Sequence, residues 1–270
     1  FSGLMTKETR VPMTDYSDMS VRFAGSVRLF GTDGFNRLKQ AHVGVIGVGG
    51  VGSWAVETLA RSGIGRLTLI DGDVVVESNI NRQLQALSDT LGKAKVSVLA
   101  ERIAGINPLC KVDAVRLFLT SGNIDELVGK NRFDFVIDAI DSVKDKAALI
   151  AYCRDHAIPL ITVGSAGGQL DPTRIDICDL SRTQQEPLLA KVRKRLRSQY
   201  GFTRNPKNKF GIDAVYSLEP VRYPDSGDDN ERSSGVIAGL NPAGFGTTMA
   251  VTASFGLAAA SYVLKRIAAV

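Results

Sequence analysis

Apolar residues fall in two kinds of run along the chain, and the two kinds take turns. Short, mostly apolar runs near positions 43, 67, 112, 133 and 160 predict strands. Between them, apolar residues at helical spacing predict helices over 51–62, 93–107, 121–130 and 144–156, with one more over 27–40 ahead of the first strand. Pro108 and Pro159 follow two of these helices and cannot continue them. Alternation of this kind belongs to a mainly parallel sheet covered on both faces. The expected fold class is therefore α/β, a Rossmann-like doubly wound sheet with a C-terminal extension. A further strand over 174–178 opens the part beyond that alternating half.

The pattern then breaks. From 181 to 235 the chain is polar, charged and punctuated by proline, which reads as an insertion outside the core, with a mobile loop over 225–235. Residues 249–264 carry no charge, but this run falls short of the roughly 20 residues a bilayer crossing needs, and Ala, Thr, Ser and Gly dominate it. It predicts a buried helix at a subunit or domain interface, not a membrane span. The expected organisation is a flexible arm over 1–21, a core over 22–180, a basic insertion over 181–235 and a packing or dimerisation helix within 236–270.

Composition adds little beyond this, except through charge and cysteine. The 270 residues carry a formal net charge of +5, which favours a polyanionic partner. Cys110, Cys153 and Cys178 have neither even pairing nor C-x-x-C spacing, so a reduced, cytoplasmic setting is expected, and the first residues contain no apolar run of a signal peptide. Each cysteine reads as a small buried apolar residue, and His42 and His156 adjoin no nucleophile.

Candidate chemistry concentrates after the first strand. Gly47-Val48-Gly49-Gly50-Val51-Gly52 joins that strand to a helix: Gly47 permits the tight turn, Gly49 lets a pyrophosphate approach the backbone, and Gly52 lets helix and strand pack closely. Asp71 ends the second strand, where an acid accepts ribose hydroxyls. A nicotinamide cofactor would use Asp71 but has no evident use for Arg82 and Lys95 beyond it, whereas a triphosphate brings charge that both neutralise. Asp141, after the fourth strand, offers a hard oxygen ligand for magnesium on the phosphates. Taken singly, each of these is equally a solvated surface charge. From 191 to 209 the chain has Lys191, Arg193, Lys194, Arg195, Arg197, Arg204, Lys207 and Lys209 with no acid, interleaved with Tyr200 and Phe202 and followed by Phe210. Such a surface suits phosphates and stacked unpaired bases, or is simply a solvated helix face.

On the glycine turn, Asp71-x-Asp73, Ser78-Asn79-x-Asn81-Arg82-Gln83, Gly92-x-x-Lys95 and Asp141, the chain resembles the superfamily of ubiquitin-activating enzymes and sulfur-carrier adenylyltransferases, from about Arg22 onward. The resemblance implies that a carboxylate attacks the α-phosphate of ATP, giving an acyl adenylate and pyrophosphate. It implies catalytic roles for Arg82, Lys95 and Asp141, with magnesium on Asp141. It implies a nucleotide site formed by Gly47, Gly49, Gly50, Gly52, Asp71, Asp73, Asn79, Asn81 and Gln83. It also implies a homodimer. The departures narrow it further. Two C-x-x-C pairs for structural zinc are missing, as is a cysteine on the crossover segment. Arg22-Phe23-Ala24-Gly25-Ser26 stands where carrier activators have a second arginine, leaving Arg22 or Arg28 to act in trans.

These features, with Lys146 to Cys153 and Gly164-Ser165-Ala166-Gly167-Gly168-Gln169, are similar to the branch that dehydrates threonylcarbamoyladenosine in transfer RNA. In that chemistry the substrate's own carbamoyl group replaces an enzyme cysteine, because positioning alone supplies a high effective concentration. The resemblance implies tRNA as partner, met by Lys191, Lys194, Arg195 and Arg197, and allows a sulfur-transfer protein and a monovalent cation. Two alternatives stay open: activation of a ubiquitin-like carrier protein, and a nucleotide-binding module without chemistry.

Overall fold

The computed structural model describes residues 21–223 and 245–269. Seven strands form one sheet: β1 His42–Ile46, β2 Arg66–Ile70, β3 Lys111–Val115, β4 Phe135–Asp138, β5 Leu160–Val163, β6 Ile175–Asp179 and β7 Asp213–Ser217. The order is β3-β2-β1-β4-β5-β7-β6, and every neighbouring pair is parallel except β6 with β7. The helices are α1 Ala24–Gln40, α2 Gly52–Arg61, α3 Lys95–Ile106, α4 Val143–Asp155, α5 Pro187–Gln199 and α6 Met249–Ala268.

Side-chain alternation explains the layering. Val43, Val45, Leu67, Leu69 and Ile137 face the layer of α1, α2, α3 and α6, while Ile46, Ile70, Val136 and Leu160 face α4 and α5. Strands buried on both faces need helices on both faces, and β1, β4 and β5 are buried at every position. The chain runs outward from β1 to β3 and returns across to β4. The crevice at that switch point, outside the carboxyl ends of the strands, is where open α/β sheets bind ligands.

Three expectations are corrected. The helix expected over 121–130 is a single π-helical turn, Asp125–Gly129. The region 181–235 is not an insertion as far as it is described: α5 buries Leu188, Leu189, Val192 and Leu196 against α4, and β7 takes the place between β5 and β6. Its polar composition comes from the outer face of α5 and the turns, which mask a short strand and an amphipathic helix. The interleaved Phe202 and Phe210 are core residues, packed edge to face with ring centroids 4.9 Å apart, so they offer no stacking platform. The loop expected over 225–235 and most of the N-terminal arm lie outside the described residues.

The C-terminal helix is part of this chain's own core. α6 crosses α2 with Gly256 against the Val51 carbonyl, at a contact that leaves no room for a Cβ, and buries Val251, Phe255, Ala259, Ala260 and Val263. Among the described residues no helix is long and apolar enough to cross a membrane.

Candidate active site

The glycine turn follows β1 directly. Gly47 has φ 83°, donates its N–H to the Ile70 carbonyl at 2.8 Å, and leaves only 2.8 Å between an added Cβ and the Ala139 carbonyl oxygen. Gly52 is packed against the Gly47 carbonyl with no space for a side chain, so it shapes the turn without lining the cavity. Gly49 is different: an added Cβ would meet only Gln83 Nε2, at 3.7 Å, so its backbone stays approachable. No side chain caps α2, and its N-terminus carries partial positive charge toward a cavity of about 440 Å³.

Gly47, Gly49, Gly50, Asp71, Asp73, Asn79, Arg82, Gln83, Lys95 and Asp141 all line that cavity. The Asp71 carboxylate is buried and accepts the N–H of Val48 at 2.8 Å and of Asp73 at 2.9 Å, so it shapes the glycine turn as well as facing the ligand space. The Lys95 side chain is 6% exposed and its Nζ pairs with Asp73, itself 52% exposed, at 2.8 Å. Arg82 donates to the Ser78 carbonyl at 2.6 Å and to Asn81 Oδ1 at 3.0 Å, while its own carbonyl accepts the Trp54 indole N–H. Asn79 is buried and accepts the Val76 N–H. Asn81 stands outside the cavity: its amide reaches the Thr247 carbonyl at 3.1 Å and its oxygen holds Arg82.

Several contributors escape the sequence pattern. Gln85 donates to the Val48 carbonyl at 2.8 Å and to Gln83 Oε1 at 3.2 Å, fixing the Gln83 amide beside Gly49. Asp138 and Lys146, both fully buried, pair at 2.9 Å beneath the cavity floor. Thr162 donates to the same carboxylate at 2.7 Å, and the Ile140 N–H at 3.1 Å, which makes the turn leading to Asp141 rigid. Beyond Asp141, the loop Gly164 to Gly167 and Leu188 complete the wall. Leu117 and Phe118 line the opposite end, on the loop after β3, and are more than half exposed.

Asp141 and Asp145 present hard oxygen donors to one region of the cavity. Among the described residues no group of three or more His, Cys, Asp or Glu could hold a metal ion alone, so a magnesium ion there would draw its remaining ligands from phosphate and water. The cysteines stand apart from this wall. Burial pushes the Cys110 and Cys153 thiols up to about 12 and raises Cys178 as well, which keeps all three protonated at neutral pH.

Outside the cavity, α5 carries Lys191 and Lys194 exposed, whereas Arg195 and Arg197 are half-buried. Arg197 donates to the Thr203 carbonyl and lies over the Phe210 ring at 5.1 Å. Arg22 donates to the Gly105 and Ile106 carbonyls at the C-terminus of α3, the end of that helix opposite Lys95.

The description of the ThiF family matches residues 23–269. The chain belongs to the ThiF family. Its relatives within and near the family sort by coverage. A tRNA threonylcarbamoyladenosine dehydratase of Haemophilus influenzae is 52% identical over 247 residues, 91% of this chain and 93% of that protein. The Escherichia coli tRNA N6-threonylcarbamoyladenosine dehydratase solved with ATP superposes with TM-score 0.84 at 47% identity, covering 96% of this chain and 98% of that one. The same E. coli protein has also been solved with AMP. A molybdopterin-synthase adenylyltransferase of E. coli is 34% identical over 136 residues, 50% of this chain and 54% of that protein. The E. coli dehydratase thus shares this chain's mainly parallel seven-stranded α/β architecture nearly end to end.

Proposed function

We propose that this protein binds ATP in the cavity and dehydrates threonylcarbamoyladenosine in tRNA to its cyclic form through an acyl adenylate. The observation that carries the reading is the convergence of the open α2 N-terminus, Arg82, Lys95 and Asp141 on one cavity. Asp71 takes the ribose. Arg82, Lys95 and the backbone of Gly49 and Gly50 take the phosphates, and Asp141, with Asp145 beside it, takes magnesium. Magnesium, when bound, neutralises charge on the phosphate oxygens.

The threonine carboxylate attacks the α-phosphorus, forming a P–O bond as the bond to pyrophosphate breaks. Arg82 and Lys95 stabilise the charge that develops on the phosphate oxygens, and Lys95 must turn from Asp73 to do so. The substrate's carbamoyl group then attacks the acyl carbon, the ring closes with loss of a proton, and AMP leaves carrying the carboxylate oxygen. Net loss of one water is thereby driven by conversion of ATP to AMP and pyrophosphate. No cysteine is needed, in keeping with the raised thiols.

Lys191 and Lys194 meet tRNA phosphates, with Arg195 and Arg197 behind them. Two copies pair as a homodimer, as the family resemblance implies, in the cytoplasmic setting that the cysteine usage points to, and Val76, Ile80 and Leu87 offer exposed apolar area. A monovalent cation and a sulfur-transfer protein belong to the same reading.

Exchange of labelled pyrophosphate into ATP tests it. The exchange is expected to rise with tRNA bearing threonylcarbamoyladenosine and not with unmodified tRNA. Stimulation by a carrier protein instead would move the function to carrier activation, and no exchange with either would remove the chemistry.

A further inference from the structure

Glu186 has no part in the chemistry above, yet the residue is 3% exposed and its carboxylate bonds to the cavity wall. The chain enters it through Gln185, whose φ of 54° is a conformation that a non-glycine residue adopts only where its surroundings impose it. Pro187 follows and starts α5, so Glu186 is the N-cap of the basic helix. Its Oε2 accepts the N–H of Leu189, third residue of the helix. Its Oε1 accepts the N–H of Ser165 at 2.8 Å.

Capping alone needs one short acceptor, and serine, threonine, aspartate and asparagine are the side chains that supply it best. The longer glutamate reaches a second segment, and that segment is the Gly164 to Gly167 loop of the cavity wall. The loop is tied at its start by the Gly164 N–H to the Val215 carbonyl at 2.9 Å. It is tied at its end by the Gly168 carbonyl to the Arg222 N–H at 2.8 Å. Between those ties Glu186 holds Ser165. The fit is close, since a Cβ on Gly164 would stand 2.9 Å from Glu186 Cγ. Burial pushes the carboxyl up from its ordinary range, opposed by the N–H groups of Leu189, Ser165 and Leu188 and by the Lys146 charge.

The location gives this contact a meaning. Along the sheet edge the cavity runs from Asp71 after β2, through the glycine turn after β1 and Asp141 after β4, to the loop after β5. Nucleotide groups fill the first three stations, which leaves the fourth for the carboxylate that is to be adenylated. We infer that Glu186 is a positioning residue that locks this carboxylate-receiving loop to the N-terminus of the tRNA-facing helix α5. A tRNA docked on α5 and the wall that receives its threonine then keep one fixed relation. The inference rests on the reading of α5 and of the cavity given above.

The test compares Glu186→Ser and Glu186→Asp, which both keep a favoured N-cap but are too short to bridge to Ser165, with Gly164→Ala, which presses on the same contact from the other side. The full-length protein is assayed with tRNA bearing threonylcarbamoyladenosine. For Glu186→Ser, kcat is expected to fall about 10- to 100-fold, the scale of a misplaced reacting group. Its KM for ATP and its tRNA affinity stay near those of the parent, and the protein remains folded at the assay temperature with a lowered melting temperature. Gly164→Ala and Glu186→Asp lower kcat in the same way. A Glu186→Ser kcat within twofold of the parent overturns the inference. So does a loss of kcat that comes with an equal loss of ATP or tRNA affinity, because the residue is then only part of the fold. The parent protein in the same assay carries the substrate reading: no turnover there overturns that reading and this inference together, whereas parental turnover with an unaffected Glu186→Ser overturns this inference alone.

Discussion

Lys146 ends in a fully buried ammonium whose charge is met by Asp138 at 2.9 Å and whose remaining donors reach Thr162 and the Asp138 carbonyl. A pair withdrawn so completely from water is held by its geometry, and removing one member strands the other. Lys146→Met is therefore expected to destabilise the protein by about 3–5 kcal/mol, measured as a shift of the urea midpoint. Asp138→Asn with Lys146→Met should recover more than half of that loss, and an unmoved midpoint for the single variant would contradict the account. This is also where sequence reasoning ran short. That Asp71, Asp73, Arg82, Lys95 and Asp141 line one cavity was legible, because Asp71, Asp73 and Asp141 follow strands, Lys95 opens α3 and Arg82 lies on the segment between β2 and α3. Gln85, Lys146 and Glu186 were not, because their roles depend on which backbone groups lie beside them, and a one-dimensional pattern carries no such information. Asn81 shows the same limit: its oxygen holds Arg82, but its amide turns to the Thr247 carbonyl and it stands outside the cavity.

At the level of elements, the alternation of apolar runs gave the five parallel strands β1 to β5 and their covering helices, because buried strands and amphipathic helices differ in period. The part after β6 was less legible. β7 is only five residues long, and α5 shows one apolar stripe beneath a strongly basic surface, so composition hid both. The structure also sharpens which cations on α5 are open to the proposed contact with nucleic acid. Arg197 is engaged with Thr203 and Phe210, whereas Lys191 and Lys194 project to solvent. Lys191→Glu with Lys194→Glu should weaken tRNA binding uniformly across sequences and reduce the salt slope by about one to two units, with no change in ATP binding. Filter binding across a salt series checks this, and an unchanged slope removes α5 from the interface.

For the whole molecule, topology decides where the chemistry takes place. The reversal between β1 and β4 opens a crevice, and the strand order sets Asp71, the glycine turn, Asp141 and the Gly164 to Gly167 loop side by side along the sheet edge. The family match over 23–269 and the near end-to-end likeness to the E. coli dehydratase place this arrangement in a known lineage. The most direct test of that account is mass spectrometry of nucleosides from tRNA bearing threonylcarbamoyladenosine, incubated with the protein, ATP and magnesium. The account predicts loss of one water from that nucleoside, abolished by Arg82→Ala; a nucleoside that emerges unchanged from incubation with active, ATP-binding protein would contradict it.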